Sequence, residues 1–144
     1  MGEPASRQYK VLLVDDSADD RLFMRIMLER NPRFPVAGEV RDGQEAIDYL
    51  TGSGLFSDRQ RFPFPDILLL DLKMPRKTGF DVLEWLRTAH MPKLTVMVVS
   101  GSWLPEDVTR SLALGAHAYF KKTSTKAEQD KMIADIEKLL EARA

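Results

Sequence analysis

Short runs of apolar residues alternate along this chain with longer stretches in which apolar residues recur every three to four positions. The runs are KVLLV (10–14), VAGEV (36–40), the opening of ILLLDLKMP (67–75), LTVMVVS (94–100) and AHAYF (116–120). Each is too short for a helix, and KVLLV and ILLL lack polar alternation, as strands buried on both faces do. Between them, SADDRLFMRIMLERN predicts a first helix with Leu22, Phe23, Met24, Ile26 and Met27 at helical spacing, Ser17 as N-cap and acids in its first turn. GQEAIDYLTGSG predicts a second, with Ala46, Ile47 and Leu50 spaced to pack before the glycines end it. TGFDVLEWLRTAH turns Phe80, Leu83, Trp85 and Leu86 inward or nearly so. PEDVTRSLALG starts on Pro105 and stops at Gly115, and KAEQDKMIADIEKLLEA carries Met132, Ile133, Ile136, Leu139 and Leu140 on one stripe.

Strands alternating with helices imply right-handed crossovers, hence an α/β domain: a five-stranded parallel sheet with five helices on both faces. Residues 1–8 are polar and expected to be flexible, which leaves 9–144 as the domain. Residues 51–65, TGSGLFSDRQRFPFP, show no period. They have two readings, a partner-docking element or an ordered loop that packs its own aromatics. The methionines at 24, 27 and 132 read as core filler rather than a binding groove.

Charge and composition narrow the partners. Lys and Arg total 21 against 22 Asp and Glu, a net charge of -1, so no overall field favours nucleic acid or an anionic membrane. No stretch approaches the length of a membrane span. The chain has no cysteine, which removes disulfides and thiolate chemistry and agrees with a reducing, cytoplasmic setting.

In open parallel sheets, ligands bind outside the carboxyl ends of the strands. At that edge the sequence places Asp15 and Asp16 after the first strand, Asp71 after the third, Ser100 after the fourth, and Lys121 and Lys122 after the fifth. Three converging carboxylates repel one another by several kcal/mol at an effective dielectric of about 20, so such a cluster calls for a cation. Oxygen ligands with neither His nor Cys among them favour Mg²⁺, which keeps waters that a phosphate can replace. A lysine adds a second positive charge and a serine hydroxyl a neutral donor. Together these groups suit a phosphoryl group carried on a carboxylate. Singly, each has a bland role: an acid at a helix start, a serine capping a turn, a solvated lysine. His90 and His117 are not in metal-ligand spacing.

The motifs LLVDDS, ILLLDLKMPRKTG, VMVVSG and GAHAYFKK, in that order, resemble the receiver domain of two-component response regulators, from Lys10 onward. The resemblance implies a flavodoxin-like (CheY-like) sheet of order 2-1-3-4-5. It makes Asp71 the phosphoacceptor, Asp16 and Asp15 the metal-binding acids and Lys73 the residue lending a backbone carbonyl to Mg²⁺. Ser100 becomes the switch hydroxyl and Tyr119 the aromatic that packs inward when Ser100 moves toward the phosphoryl oxygen. The family's lysine falls three residues after the fifth strand's aromatic, which selects Lys122 over Lys121. The next residue is Thr123 where the family usually has a proline in a cis bond, so a trans bond is expected and the geometry of that loop is open. Lys73 and Ser102 flank the route of attacking water.

The resemblance also implies a histidine kinase or histidine phosphotransfer protein as donor and a downstream protein as recipient, with intrinsic phosphorylation and dephosphorylation chemistry rather than an enzyme's turnover. With residue 144 ending the last helix, a stand-alone receiver is expected. The segment before the third strand resembles that of receivers partnered with bacteriophytochrome-type kinases. The face bearing the last helix is either a homodimer contact formed on phosphorylation or a solvated surface carrying Arg110, Lys131 and Asp135. Trp103, three residues past Ser100, is expected to report movement of its loop. A non-phosphorylated pseudo-receiver acting as an interaction module is the alternative, and the intact acids and lysine argue against it. A flavin carrier of the same fold is disfavoured because DDSADD would repel a cofactor phosphate.

Overall fold

The computed structural model describes residues 7–102, 104–123 and 125–144. Trp103 therefore lies outside the described residues, as do residues 1–6 of the segment expected to be flexible. Arg7 and Gln8, at the end of that segment, make contacts: Arg7 stacks over the Tyr9 ring and the Gln8 amide donates to the Pro32 carbonyl.

The strands are β1 (Val11–Val14), β2 (Val36–Val40), β3 (Ile67–Leu70), β4 (Thr95–Ser100) and β5 (Ala118–Lys121), all parallel in the order β2-β1-β3-β4-β5. The helices are α1 (Ala18–Glu29), α2 (Gly43–Thr51), α3 (Gly79–Ala89), α4 (Pro105–Ala113) and α5 (Lys126–Arg143). Alternate residues of the central strands feed two cores. Leu12, Val14, Leu68, Leu70, Val96 and Val98 pack with Ala46, Tyr49 and Leu50 of α2 and with Val82 and Leu83 of α3. Val11, Leu13, Ile67, Leu69, Met97 and Val99 pack with Met24, Met27 and Leu28 of α1 and with Met132, Ile136 and Leu140 of α5. The three methionines are thus core side chains.

Helix α1 differs from its sequence pattern. Its buried residues are Met24, Met27 and Leu28, while Leu22, Phe23 and Ile26 are 42%, 59% and 42% exposed. The apolar arc is broader than the sheet covers, and Leu22, Phe23 and Ile26 are left outside. Helix α4 is lightly held: among the described residues Ser111 is its one buried position, and its N-cap, Leu104, supplies no side-chain hydrogen bond.

The 51–65 segment is an ordered loop around a short 3-10 helix at Gly54–Phe56. Phe56 and Phe62 meet edge to face at 5.2 Å and both pack on Tyr49. Arg59 donates to the carbonyls of Tyr49 and Leu50 at the end of α2 and of Phe62 in its own loop, tying the loop to the helix end. Leu55 points outward, so the loop packs its aromatics and still presents an apolar tip.

The turn after β3 doubles back tightly. Gly79 donates its N–H to Leu72 O at 2.9 Å, and a Cβ at Gly79 would collide with the carbonyl oxygen of Asp71. By contrast, a Cβ at Gly101 meets nothing within 4 Å. Replacing Gly79 with alanine is expected to destabilise the fold by more than about 2 kcal/mol, whereas Gly101→Ala stays within about 0.5 kcal/mol of wild type. Urea denaturation of the two variants checks this, and equal midpoints would refute it.

Candidate functional site

Parallel pairing of β1 with β3 sets Val14 beside Leu70, so the next residue of each strand, Asp15 and Asp71, emerges at the same sheet edge. Their backbones are fixed: Asp71 N–H donates to Val14 O at 2.9 Å and Asp15 N–H to Val40 O at 3.1 Å. Asp15 is fully buried and Asp71 is 6% exposed, while Asp16, one residue further, is exposed. One carboxylate oxygen from each of the three lies within 4.8 Å of the others.

Lys122 enters this cluster from the end of β5. Its Nζ lies 2.9 Å from Asp15 Oδ2, 2.8 Å from Asp20 Oδ2 and 3.3 Å from Asp71 Oδ2. Burial by itself would lower the pKa of this ammonium. The bond to Asp20, the close contact with Asp15 and the charge of Asp71 outweigh burial and raise it, so Lys122 stays charged. Lys121 ends β5 and pairs by its Cα with Ser100. The bond between Lys122 and Thr123 is not cis.

Asp71 is the strained member. Burial, and then the charge of Asp15, push its pKa up to about 6, against partial relief from Lys122 and from the Leu72 N–H that donates to Oδ1 at 2.8 Å. Asp15 Oδ1 accepts from Ser17 N–H at 2.9 Å, but Oδ2, enclosed on all sides, accepts no directed hydrogen bond despite its ionic contact with Lys122. An enclosed, under-coordinated carboxylate oxygen beside two further carboxylates fits a hard divalent cation. Lys73 sits in the turn just past Asp71, its side chain exposed.

Ser100, 1% exposed, ends β4 on the far side of Asp71, and its Oγ accepts from Ser102 N–H at 3.1 Å. Ser102 in turn joins three elements. Its Oγ donates to Asp107 of α4 at 2.5 Å and its carbonyl accepts from the half-buried Tyr119 hydroxyl at 3.3 Å. The serine, the tyrosine and the start of α4 are thus wired through one loop residue.

The structure brings Asp15, Asp16, Asp71 and Lys122 into one cluster, with Ser100 ending the neighbouring strand. Tyr119 stands apart, connected through Ser102. Two residues were missed by sequence reasoning. Asp20 reads in the sequence only as a first-turn acid, and its contact with Lys122 joins the start of α1 to the end of β5, 102 residues apart. Arg21 donates to the Asp15 carbonyl at 2.6 Å and pairs with Glu39 at 3.3 Å, clamping the backbone under the buried acid. Nothing in its local spacing marks that role.

Comparison with known proteins bears on this geometry. Residues 11–134 match the family model described as the response regulator receiver domain. The protein-glutamate methylesterase/protein-glutamine glutaminase of Symbiobacterium thermophilum is 34% identical over 125 residues, covering 86% of this chain and 32% of that protein. The chain thus spans about a third of that relative's length. Among solved structures, the phosphorylated cyanobacterial phytochrome response regulator RcpA superposes with a TM-score of 0.77 at 28% identity, covering 95% of this chain and 96% of that one. The Mn²⁺-bound form of response regulator Rcp1 gives 0.75 at 28% identity, with coverages of 90% and 91%.

The raised pKa of Asp71 makes a prediction about stability without divalent cation. A carboxyl raised from its usual value near 3.8 to about 6 favours the folded state when protonated. That contribution is complete below the unfolded value and is lost as pH rises through about 6. It amounts to at most about 3 kcal/mol, at about 1.4 kcal/mol per unit. His117 works the other way, its pKa lowered by burial and by Arg143, but it does so equally in a variant. Going from about pH 5 to about pH 7, wild type should therefore lose stability relative to Asp71→Asn, which at about pH 7 melts no lower than wild type. Parallel melting curves across that range would show that Asp71 carries no such strain.

Proposed function

This chain belongs to the response regulator receiver domain family of two-component signalling, and we propose that it takes a phosphoryl group onto Asp71 from a histidine kinase or histidine phosphotransfer protein. The observation that carries the reading is the Lys122 ammonium spanning Asp15 and Asp71 at a strand edge that also ends in the Ser100 hydroxyl. In the transfer an Asp71 carboxylate oxygen forms a bond to phosphorus as the phosphorus–nitrogen bond of the donor's phosphoimidazole breaks. The electron pair stays on the imidazole nitrogen, which takes up a proton. In hydrolysis water attacks phosphorus as the phosphorus–oxygen bond to Asp71 breaks, the electron pair stays on the Asp71 oxygen to restore the carboxylate, and the water's proton leaves with inorganic phosphate.

Burial works for this chemistry in two ways. It raises the energy of the Asp71 anion before attack, and it strengthens the field of Lys122 on phosphoryl oxygens in a low-dielectric site. Lys122 and Ser100 hold the equatorial oxygens. Asp15, Asp16, Asp71 and the Lys73 carbonyl would hold a divalent cation such as Mg²⁺, which supplies positive charge against the transferring group. Lys73 and Ser102 line the approach of water.

The switch follows from the wiring of Ser100. Its Oγ is engaged by Ser102 N–H, so turning toward a phosphoryl oxygen releases that bond and frees the loop that Tyr119 and Asp107 hold. Tyr119 then packs further inward and the face of α4, β5 and α5 changes for a downstream protein. On that face Lys131 pairs with Asp135 at 3.1 Å and Arg110 stacks over Phe80 at 4.1 Å, which supports a solvated surface rather than a homodimer contact. The donor's side of the site is different. Phe23 lines, with Asp20 and Lys122, a small cavity of about 40 Å³, and the exposed Leu22 and Ile26 continue this apolar border along α1, which supports docking of the phosphoryl donor there.

Asp71→Asn is expected to abolish incorporation of acid-labile phosphate from a phosphorylated kinase or acetyl phosphate, since an amide is no nucleophile here. Wild-type incorporation would assign the acceptor elsewhere. Lys122→Ala should block the phosphorylation-dependent change while leaving Mg²⁺ binding intact, and Lys121→Ala should leave both intact. Equal effects of the two lysine variants in a titration followed by NMR would remove Lys122 from its role.

A further inference from the structure

Helices α1, α3 and α5 all start with a hydroxyl cap followed three residues later by an acid: Ser17 and Asp20, Thr78 and Asp81, Thr125 and Glu128. In such a start the cap hydroxyl accepts the third residue's N–H, and the acid reaches back to the cap's own N–H. Helix α3 completes the exchange, with Thr78 N–H donating to Asp81 Oδ2 at 2.9 Å and Asp81 N–H to Thr78 Oγ1 at 3.2 Å. Helix α1 makes only half of it. Asp20 N–H donates to Ser17 Oγ at 3.2 Å, but the Ser17 N–H is already taken by Asp15 Oδ1 at 2.9 Å. The buried acid of β1 has displaced Asp20 from its capping partner, and the Asp20 carboxylate turns instead to Lys122 Nζ at 2.8 Å, the shortest of that ammonium's three contacts.

We infer that Asp20 is a positioning residue that parks Lys122, competing with the phosphoryl group for its ammonium and so setting how firmly the phosphorylated state is held. The ammonium directs hydrogen bonds to Asp20 and Asp71 and makes an ionic contact with Asp15, so carboxylates hold it on three sides. To hold a phosphoryl oxygen, Lys122 must redirect donors from these contacts. Asp71 gives up its share once it becomes an ester-like acyl group, and Asp15 is enclosed. Asp20 is partly solvated and, unlike Asp71, is not consumed when a phosphoryl group is added, so its contact with Lys122 persists as the competitor. It therefore opposes the phosphoryl group by retaining the lysine.

This inference rests on the receiver reading, and the test separates the two. Beryllofluoride, which bonds to a carboxylate oxygen as a phosphoryl mimic, is titrated at saturating Mg²⁺ and its bound signal read by fluorine NMR. Asp20→Asn, which keeps an oxygen but loses the charge, should bind about tenfold more tightly than wild type, the scale of one partly screened charge at this range. Asp20→Ser should move the same way, which covers a folding failure in either variant. In a Lys122→Gln background the Asp20 effect should vanish, a coupling that a merely structural role for Asp20 would not produce. Unchanged or weaker binding in both Asp20 variants, or an effect that persists without Lys122, overturns the inference while leaving the receiver reading intact. No binding to wild type, or equal binding to Asp71→Asn, overturns the reading and this inference with it.

Discussion

Two carboxylates, Asp15 and Asp71, are carried out of water side by side because the strands that bear them are driven inward, and the rest of the site answers that placement. Every residue of β1 and β3 is buried. Burying each Val, Leu or Ile side chain contributes on the order of 1.5–3 kcal/mol, so a four-residue strand offsets the several kcal/mol that one desolvated acid costs once it is paired. The sheet therefore imposes the acids' position, and they must find a cation. β5 lies two strands from β3, and Lys122 is the first residue beyond its end, at the distance a lysine stem can bridge back to the acids. The turn after β3 is equally constrained: Gly79 approaches the Asp71 carbonyl so closely that the loop has one path.

Much of this was legible in the sequence because it follows from short-range patterns. The apolar runs located all five strands, and the residues ending them named the acids, the serine and the lysine. The hydroxyl cap expected at Ser17 starts its helix. The β5 run was read two residues early at its start. His117 precedes the strand as assigned, although its ring nitrogen accepts from Val96 N–H and its own N–H donates to Val96 O, extending the pairing without a strand conformation.

What escaped the sequence depended on competition between partners. Periodicity cannot tell which part of a wide apolar arc the sheet will cover, so Leu22, Phe23 and Ile26 looked the same as Met24 and Met27. Asp20 looked like an ordinary first-turn acid because its displacement by Asp15 depends on a buried side chain folding onto Ser17 N–H. Arg59 is a similar case. Its three carbonyl acceptors come from the end of α2 and from its own loop, and only the folded path of residues 51–65 gathers them.

The light anchoring of α4 has a consequence for how a signal leaves the sheet edge. A helix that buries one serine and begins without a side-chain cap sits near the bottom of the molecule's range of local opening energies, while β1 and β3 sit near the top. The rearrangement proposed above would then be a change in how long a loosely attached segment spends in each of two positions, with no rigid lever needed. On the proposed reading such a segment samples both arrangements before any modification, so basal output would be built into the fold and set by the same few contacts that a phosphoryl group on Asp71 would re-weight.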